Sequence, residues 1–90
     1  MSNESCCAVP MVHMNGTSRG ELIEQYQNAS VALYEALQML NRASPNARDY
    51  YPMSPEAFDI ARRQARARYE RVNGALTEIN YILEYLARDA

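Results

Sequence analysis

The sequence predicts an all-α protein: an antiparallel helical hairpin of two long helices that assembles into a helical bundle by homo-oligomerisation. Apolar residues recur at alternating spacings of four and three along two long segments, which is typical of helices packed side by side. A Ser-Pro step separates the two segments, and each segment opens with a serine in a helix-capping context. Ninety residues with 48% hydrophobic content suit one small domain.

Residues 1–16 are predicted to form a flexible N-terminal tail, and residues 17–90 the helical-hairpin domain. The tail lacks an apolar period. The first helix is expected to begin at Ser18, because Ser18 and Glu21 form the capping-box pattern S-x-x-E. It should end near Ala43, since the following Ser-Pro step disfavours helical geometry.

The second helix is expected to open with Ser54-Pro55-Glu56, which places an N-cap serine, a proline and an acid in favourable order. It could continue to about Arg88. A weak point is expected at Asn73-Gly74, because glycine is a poor helix former.

The apolar seam predicts a register for the hairpin. A register that pairs Leu40 with Phe58 and Leu22 with Leu76 sets small residues against large ones, which fills space well. It leaves Arg62 as the one polar seam position, opposite Ala36. The seam residues are Leu22, Tyr26, Ala29, Leu33, Ala36 and Leu40 on the first helix, and Phe58, Arg62, Ala65, Tyr69, Val72, Leu76, Ile79, Leu83 and Leu86 on the second.

In this register the second helix extends beyond the start of the first, so its last apolar residues lack a partner. A wide exposed apolar surface marks an interface. A second hairpin would cover it and complete a four-helix bundle; the alternative is a monomer capped by its own tail. We therefore expect a homo-oligomer whose interface contains Ile79, Ile82, Leu83 and Leu86.

The composition argues against an enzyme and against a cofactor or metal. The chain has one histidine, His13, and no lysine, and no pattern resembles a catalytic triad or an inward Glu-x-x-His pair. No apolar run approaches the roughly 20 residues of a membrane span, and no signal peptide is visible. Adjacent Cys6 and Cys7 form no disulfide framework, which fits a reducing cytoplasm.

The charge pattern argues against nucleic acid as a partner. Net charge is -2, and the arginine-rich middle of the chain is diluted by acids such as Glu56 and Glu70. Pairs such as Asp59–Arg63 and Arg66–Glu70 would make this helix face a solvated surface. The same face, through Arg63 and Arg66, is the candidate for binding another protein.

Two segments are candidates for a small ligand. The connection Arg48-Asp49-Tyr50-Tyr51-Pro52 either folds its rings back onto Phe58 and Leu40, or offers them for stacking while Arg48 holds a phosphate. The start of the first helix offers free N–H groups. The candidate ligand-binding residues are Asn15, Thr17, Arg19, Arg48, Asp49, Tyr50 and Tyr51, brought together between two copies of the chain.

At Asn15-Gly16-Thr17-Ser18-Arg19 and Arg48-Asp49-Tyr50-Tyr51-Pro52 the chain resembles small phage or prophage helical-hairpin proteins of uncharacterised function. The resemblance covers roughly residues 14–55. It implies a viral accessory protein in the cytoplasm of a bacterial host, acting against host defence by binding.

Two functional hypotheses follow. The first is an oligomeric, non-enzymatic protein that sequesters a phosphate-bearing, nucleotide-like ligand. The second is a protein–protein inhibitor or adaptor of a bacterial host protein, acting through the arginine-rich and apolar helix face. A structural part of a virion or larger assembly is a third interpretation.

Overall fold

The computed structural model describes residues 7–88. Residues 1–6, which include Cys6, and residues 89–90 lie outside the described part of the chain. Helix α1 spans Arg19–Arg42, a short 3₁₀ turn spans Ala47–Asp49, and helix α2 spans Pro55–Arg88. Residues 7–88 contain no strand. The two helices pack against each other and run antiparallel, which confirms an all-α helical hairpin.

The ends of α1 follow local sequence signals. The hydroxyl of Ser18 accepts a hydrogen bond from the Glu21 backbone N–H at 3.2 Å, which satisfies one of the free donors at the start of the helix. At the other end the N–H of Ala43 donates to the carbonyls of Met39 and Leu40. Both predicted ends of this helix are confirmed.

Helix α2 begins as predicted and runs unbroken. The Ser54 hydroxyl accepts from the Ala57 backbone N–H at 3.1 Å, and Pro55 occupies the first helical position. The helix continues through Asn73 and Gly74 to its end. The weak point expected there does not interrupt it.

The predicted register is wrong. It placed Ser30 opposite Arg68, but the Ser30 hydroxyl instead donates to the side-chain oxygen of Asn80 at 2.8 Å. Near the C-terminus of α1, Leu40 shares a groove with Ala65 and Tyr69. Relative to the prediction, α2 is therefore displaced along α1 by about two to three helical turns of 3.6 residues.

The displacement moves the core toward the C-terminal half of α2. The buried apolar residues are Leu37, Leu76, Ile82 and Leu86, and Leu86 is only 1% exposed. The premise that Leu86 lacks a partner within the chain is therefore wrong. Of the four residues assigned to an oligomer interface, Ile82 and Leu86 are core residues of the single chain, and Ile79 and Leu83 are half-buried.

The N-terminal segment also approaches this end of α2. The Cys7 sulfur lies 3.8 Å from the Glu78 carbonyl oxygen, and Val9, Pro10 and Val12 are half-buried. The described part of the tail therefore passes beside α2, as the tail-capped alternative expects, but its Met11 and Met14 are exposed and cover no apolar surface.

Part of the exposed apolar surface lies at the opposite end, where the connection joins α2. We call this the closed end of the hairpin, and the end that holds Ser18 and Arg88 the open end. In the register observed, the first turns of α2 extend past the end of α1. Ile60 is 46% exposed there, and Tyr51 and Met53 are exposed. Exposed apolar surface thus exists at the closed end, and α1 and the last turns of α2 also expose Val31, Tyr34, Met39 and Tyr85.

Leu86→Ala should lower the free energy of unfolding by about 2–5 kcal/mol, the cost of truncating a well-packed buried leucine. The matched control is Met39→Ala on α1, because Met39 is 52% exposed. Urea unfolding followed by circular dichroism measures both variants. Equal, small effects would mean that Leu86 is not packed within the chain.

Gly74→Ala should stabilise the chain by about 0.5–1 kcal/mol, because alanine is the better residue inside a helix. A Cβ added at Gly74 meets nothing within 4 Å, so no steric cost opposes this gain. Thermal unfolding should show a higher Tm than the unmodified chain. A lower Tm would show that the helix bends at this position.

Candidate functional site

The predicted ligand residues lie at the two ends of the hairpin. Asn15, Thr17 and Arg19 lie at the open end, and residues 48–51 lie at the closed end. Helix α1 separates them; its 24 residues span about 36 Å at 1.5 Å per residue. A single chain does not bring these groups together, and a shared pocket between two copies stays a prediction.

Arg19 has a partner within the chain. Its Nη1 donates a 2.8 Å hydrogen bond to the Leu86 carbonyl oxygen, in a partly buried setting. That carbonyl belongs to the last turn of α2, where backbone oxygens lack partners within the helix and carry partial negative charge. Arg19 therefore caps α2 and ties the start of α1 to the last turn of α2 at the open end.

At the closed end the connection is held by local contacts. The Asn46 side-chain oxygen accepts from the Arg48 backbone N–H at 3.0 Å, at the start of the 3₁₀ turn. The Tyr50 ring packs on the Phe58 ring, with centroids 6.3 Å apart and planes tilted by 49°. The interpretation that the connection folds back is confirmed for Tyr50, whereas Tyr51 is 69% exposed.

A groove between the C-terminus of α1 and the first half of α2 collects polar groups that the sequence analysis did not assemble. We call it the Arg groove; its volume is about 570 Å³. It is lined by Leu40, Asn41, Ser44, Pro45, Arg62, Ala65, Arg66, Tyr69, Glu70 and Asn73.

Arg62 explains how the Arg groove arises. The sequence marks Arg62 as the one break in the apolar seam, and in the structure it lies where α1 ends and the seam opens to solvent. An exposed guanidinium is tolerated there because no helix covers it. The break in the apolar seam at Arg62 was thus the sequence signal for this site. The predicted register set Arg62 opposite Ala36, so this signal did not point to a groove at the end of α1.

Two contacts hold the Arg62 guanidinium. Its Nη2 donates to the Asp59 carboxylate at 2.8 Å. Its central carbon lies 5.7 Å from the centroid of the Phe58 ring, within the range of a cation–π attraction. The Arg62 side chain is therefore positioned on α2 before any ligand arrives.

Arg66 is held more loosely. Its Nε lies 3.4 Å from the Glu70 carboxylate, and both side chains are largely exposed. The predicted Arg66–Glu70 pair is confirmed. The predicted Asp59–Arg63 pair is not found, because Asp59 binds Arg62, and Arg63 has no acidic partner among residues 7–88.

A second depression, which we call the closed-end trough, lies on another side of α2. It has a volume of about 330 Å³ and is lined by Tyr50, Met53, Ala57, Ile60, Ala61 and Gln64. In contrast to the Arg groove, it contains no charged side chain.

His13 packs against the turn before α1. The Gly16 N–H donates to the His13 carbonyl at 3.1 Å, and a Cβ on Gly16 would lie 2.7 Å from the His13 imidazole. Glycine at this position thus lets the ring pack on the backbone. Within residues 7–88, no three histidine, cysteine or acidic side chains come together as metal ligands.

No protein-family model, curated protein or solved structure matches the chain. Neither described helix has a stretch that is long and apolar enough to cross a bilayer.

Arg19→Ala should lower the free energy of unfolding by about 1.5 kcal/mol or more, the usual contribution of a hydrogen bond to a charged group. The control is Arg63→Ala, which removes the same charge from an exposed position on α2. Urea unfolding measures both variants. If Arg19 served only to hold a ligand, the two variants would unfold alike.

Proposed function

We propose that this chain is a non-enzymatic binding protein that holds a phosphate-bearing, nucleotide-like ligand in the Arg groove and acts as a homo-oligomer. The observation that carries the proposal is the placing of two guanidinium groups, a tyrosine ring and two amide side chains around one cavity.

The size of the Arg groove supports a small ligand. Ligand sites in proteins commonly have volumes of about 300–1,000 Å³, and the Arg groove has about 570 Å³. Its wall also contains apolar side chains, Leu40, Pro45 and Ala65, that can contact the flat face of a base.

The chemistry of the lining supports a phosphate. Arginine presents planar N–H groups that bind phosphate oxygens in pairs, which lysine cannot do. Arg62 and Arg66 lie one turn apart on α2 and both line the groove. Tyr69 offers a ring for stacking, and Asn41 and Asn73 offer donors and acceptors for the polar edge of a base.

Glu70 lines the same groove, and its negative charge opposes the binding of an anion. The strength of the Arg66–Glu70 ion pair can be compared with that of a phosphate contact. The Arg66–Glu70 pair is solvent-exposed, and such pairs contribute at most about 1 kcal/mol. A phosphate contributes more to one guanidinium, about 1.5–3 kcal/mol for a charge-assisted hydrogen bond. A phosphate-bearing ligand can therefore displace Glu70 from Arg66.

The ligand residues predicted from the sequence have a secondary place in this proposal. Arg48, Asp49 and Tyr51 are exposed at the closed end, and they could extend a site between copies together with Asn15 and Thr17. The phage-type accessory role against bacterial defence remains part of the proposal as the setting in which such binding would act.

A second candidate function is the binding of a host protein through Arg63 and Arg66. It is supported by Arg63, which is exposed and has no acidic partner within residues 7–88. Arg63 does not line the Arg groove. Arg63 and Arg66 therefore separate the two functions experimentally.

Arg66→Gln should weaken nucleotide binding by about 10- to 100-fold, the loss of one charge-assisted contact to phosphate. Calorimetric titration of the full chain with nucleoside mono- and diphosphates and cyclic nucleotides measures this, with the parent nucleosides as phosphate-free probes. Arg63→Gln is the matched control and should bind as the unmodified chain does.

Glu70→Gln should have the opposite effect and raise the affinity for nucleotide a few-fold, because it removes the carboxylate that competes for Arg66. Glu24→Gln on α1 is its control. No binding by any nucleotide, or an equal loss in Arg63→Gln and Arg66→Gln, would exclude the Arg groove as the site. A host protein captured by the unmodified chain but not by Arg63→Glu would favour the second function.

A further inference from the structure

The Arg groove contains charges of both signs. Its wall holds the guanidinium groups of Arg62 and Arg66 and the carboxylate of Glu70. The Asp59 carboxylate lies next to the groove, where it accepts a hydrogen bond from Arg62 Nη2 at 2.8 Å. Each arginine of the groove therefore already faces one carboxylate, and the formal charges of these four side chains cancel.

The end of α1 adds no positive charge to the groove. Leu40, Asn41 and Ser44 place the C-terminus of α1 in the groove wall, and the last carbonyl groups of a helix carry partial negative charge. Arg42, in the last turn of α1, is exposed and offsets that partial charge. The surroundings of the Arg groove therefore attract a ligand with several negative charges only weakly.

Phosphate groups differ in the charge that they bring. A terminal phosphate monoester has a charge of about −1.5 to −2 at pH 7, whereas a phosphodiester carries a single negative charge. A phosphate that takes the place of Glu70 at Arg66 leaves the Glu70 carboxylate one helical turn away. Arg66 can match one negative charge, but a second charge would lie near Glu70 without a cation of its own, which is unfavourable.

We propose that the Arg groove selects a phosphodiester over a terminal phosphate monoester, and that Glu70 sets this preference. Arg66 binds the single charge of the diester, and the displaced Glu70 repels the second charge of a monoester. This inference rests on the proposed function, because it concerns the nucleotide that would bind in the same groove.

The size of the Arg groove indicates a small nucleotide. A volume of about 570 Å³ lies within the range of small-molecule sites. A nucleic-acid strand would bring further phosphates, each with its own negative charge, and the groove offers only Arg62 and Arg66 to match them. The ligand class is therefore a nucleotide with one internal phosphodiester, such as a cyclic mononucleotide or a dinucleoside monophosphate.

A matched pair of ligands tests the preference in calorimetric titrations of the full chain. The pair is a nucleoside 5′-monophosphate and its methyl ester, which share base and ribose and differ by one negative charge. The methyl ester should bind about 2- to 5-fold more tightly, the effect of one exposed charge contact. The titration is carried out with each of the four common nucleosides, and the nucleosides themselves are the phosphate-free controls.

Glu70→Gln should abolish the preference for the methyl ester, because it raises the affinity for the monoester more than the affinity for the diester. The matched control is Glu24→Gln, which removes an exposed acid from α1 outside the groove and should keep the preference. Circular dichroism verifies that both variants remain helical. A preference that persists in Glu70→Gln, or that is lost equally in Glu24→Gln, would overturn the role of Glu70.

Two further ligands distinguish the sources of a single diester. A 3′,5′-cyclic mononucleotide and a dinucleoside monophosphate each carry one, and the tighter of the two identifies the source. Single strands of increasing length should bind no more tightly than the dinucleoside monophosphate. An affinity that rises with strand length would overturn the assignment to a small nucleotide.

Failure of this inference is distinguishable from failure of the proposed function. A monoester that binds as tightly as its methyl ester, with both weakened by Arg66→Gln, would overturn the selection and leave nucleotide binding in the Arg groove supported. The absence of binding by every nucleotide and diester would overturn both.

Discussion

The contact between α1 and the C-terminal half of α2 determines where every other feature of the molecule lies. Leu37 of α1 and Leu76, Ile82 and Leu86 of α2 are buried in this part of the hairpin, and the Ser30–Asn80 and Arg19–Leu86 hydrogen bonds fix the register of the two helices. Because α2 has ten residues more than α1, packing at one end leaves the other uncovered. The end of α2 is therefore packed beside α1, and the closed end carries both grooves and the exposed residues Tyr51, Met53 and Ile60.

The sequence was sufficient for features that depend on neighbours along the chain. Ser18 and Ser54 cap the helices as expected, because capping bonds join residues two or three apart. The seam also identified α2 correctly as the longer helix. These signals depend only on residues close together in the sequence, so they predict the helices without the tertiary arrangement.

The register of α1 against α2 cannot be predicted from such local signals. A seam with alternating spacings of four and three repeats every seven residues, so sliding one helix by seven residues again sets apolar positions against apolar positions. Long-range contacts decide between such registers. The Arg19 bond to Leu86 and the exposure of Arg62 at the end of α1 favour the observed one, and neither is visible in an apolar pattern.

Because the apolar pattern does not fix the register, the Arg groove was only partly predicted from the sequence. The sequence analysis assigned Arg66 to a protein-binding face and not to a ligand site. Its neighbours in the Arg groove come from both helices, and only the register brings Asn41 beside Tyr69. A ligand in this groove would contact the end of α1 and the middle of α2 at once. Since it would bind the folded hairpin and not the unfolded chain, occupancy would stabilise the register that creates the groove. Binding and folding of this hairpin are therefore expected to be linked.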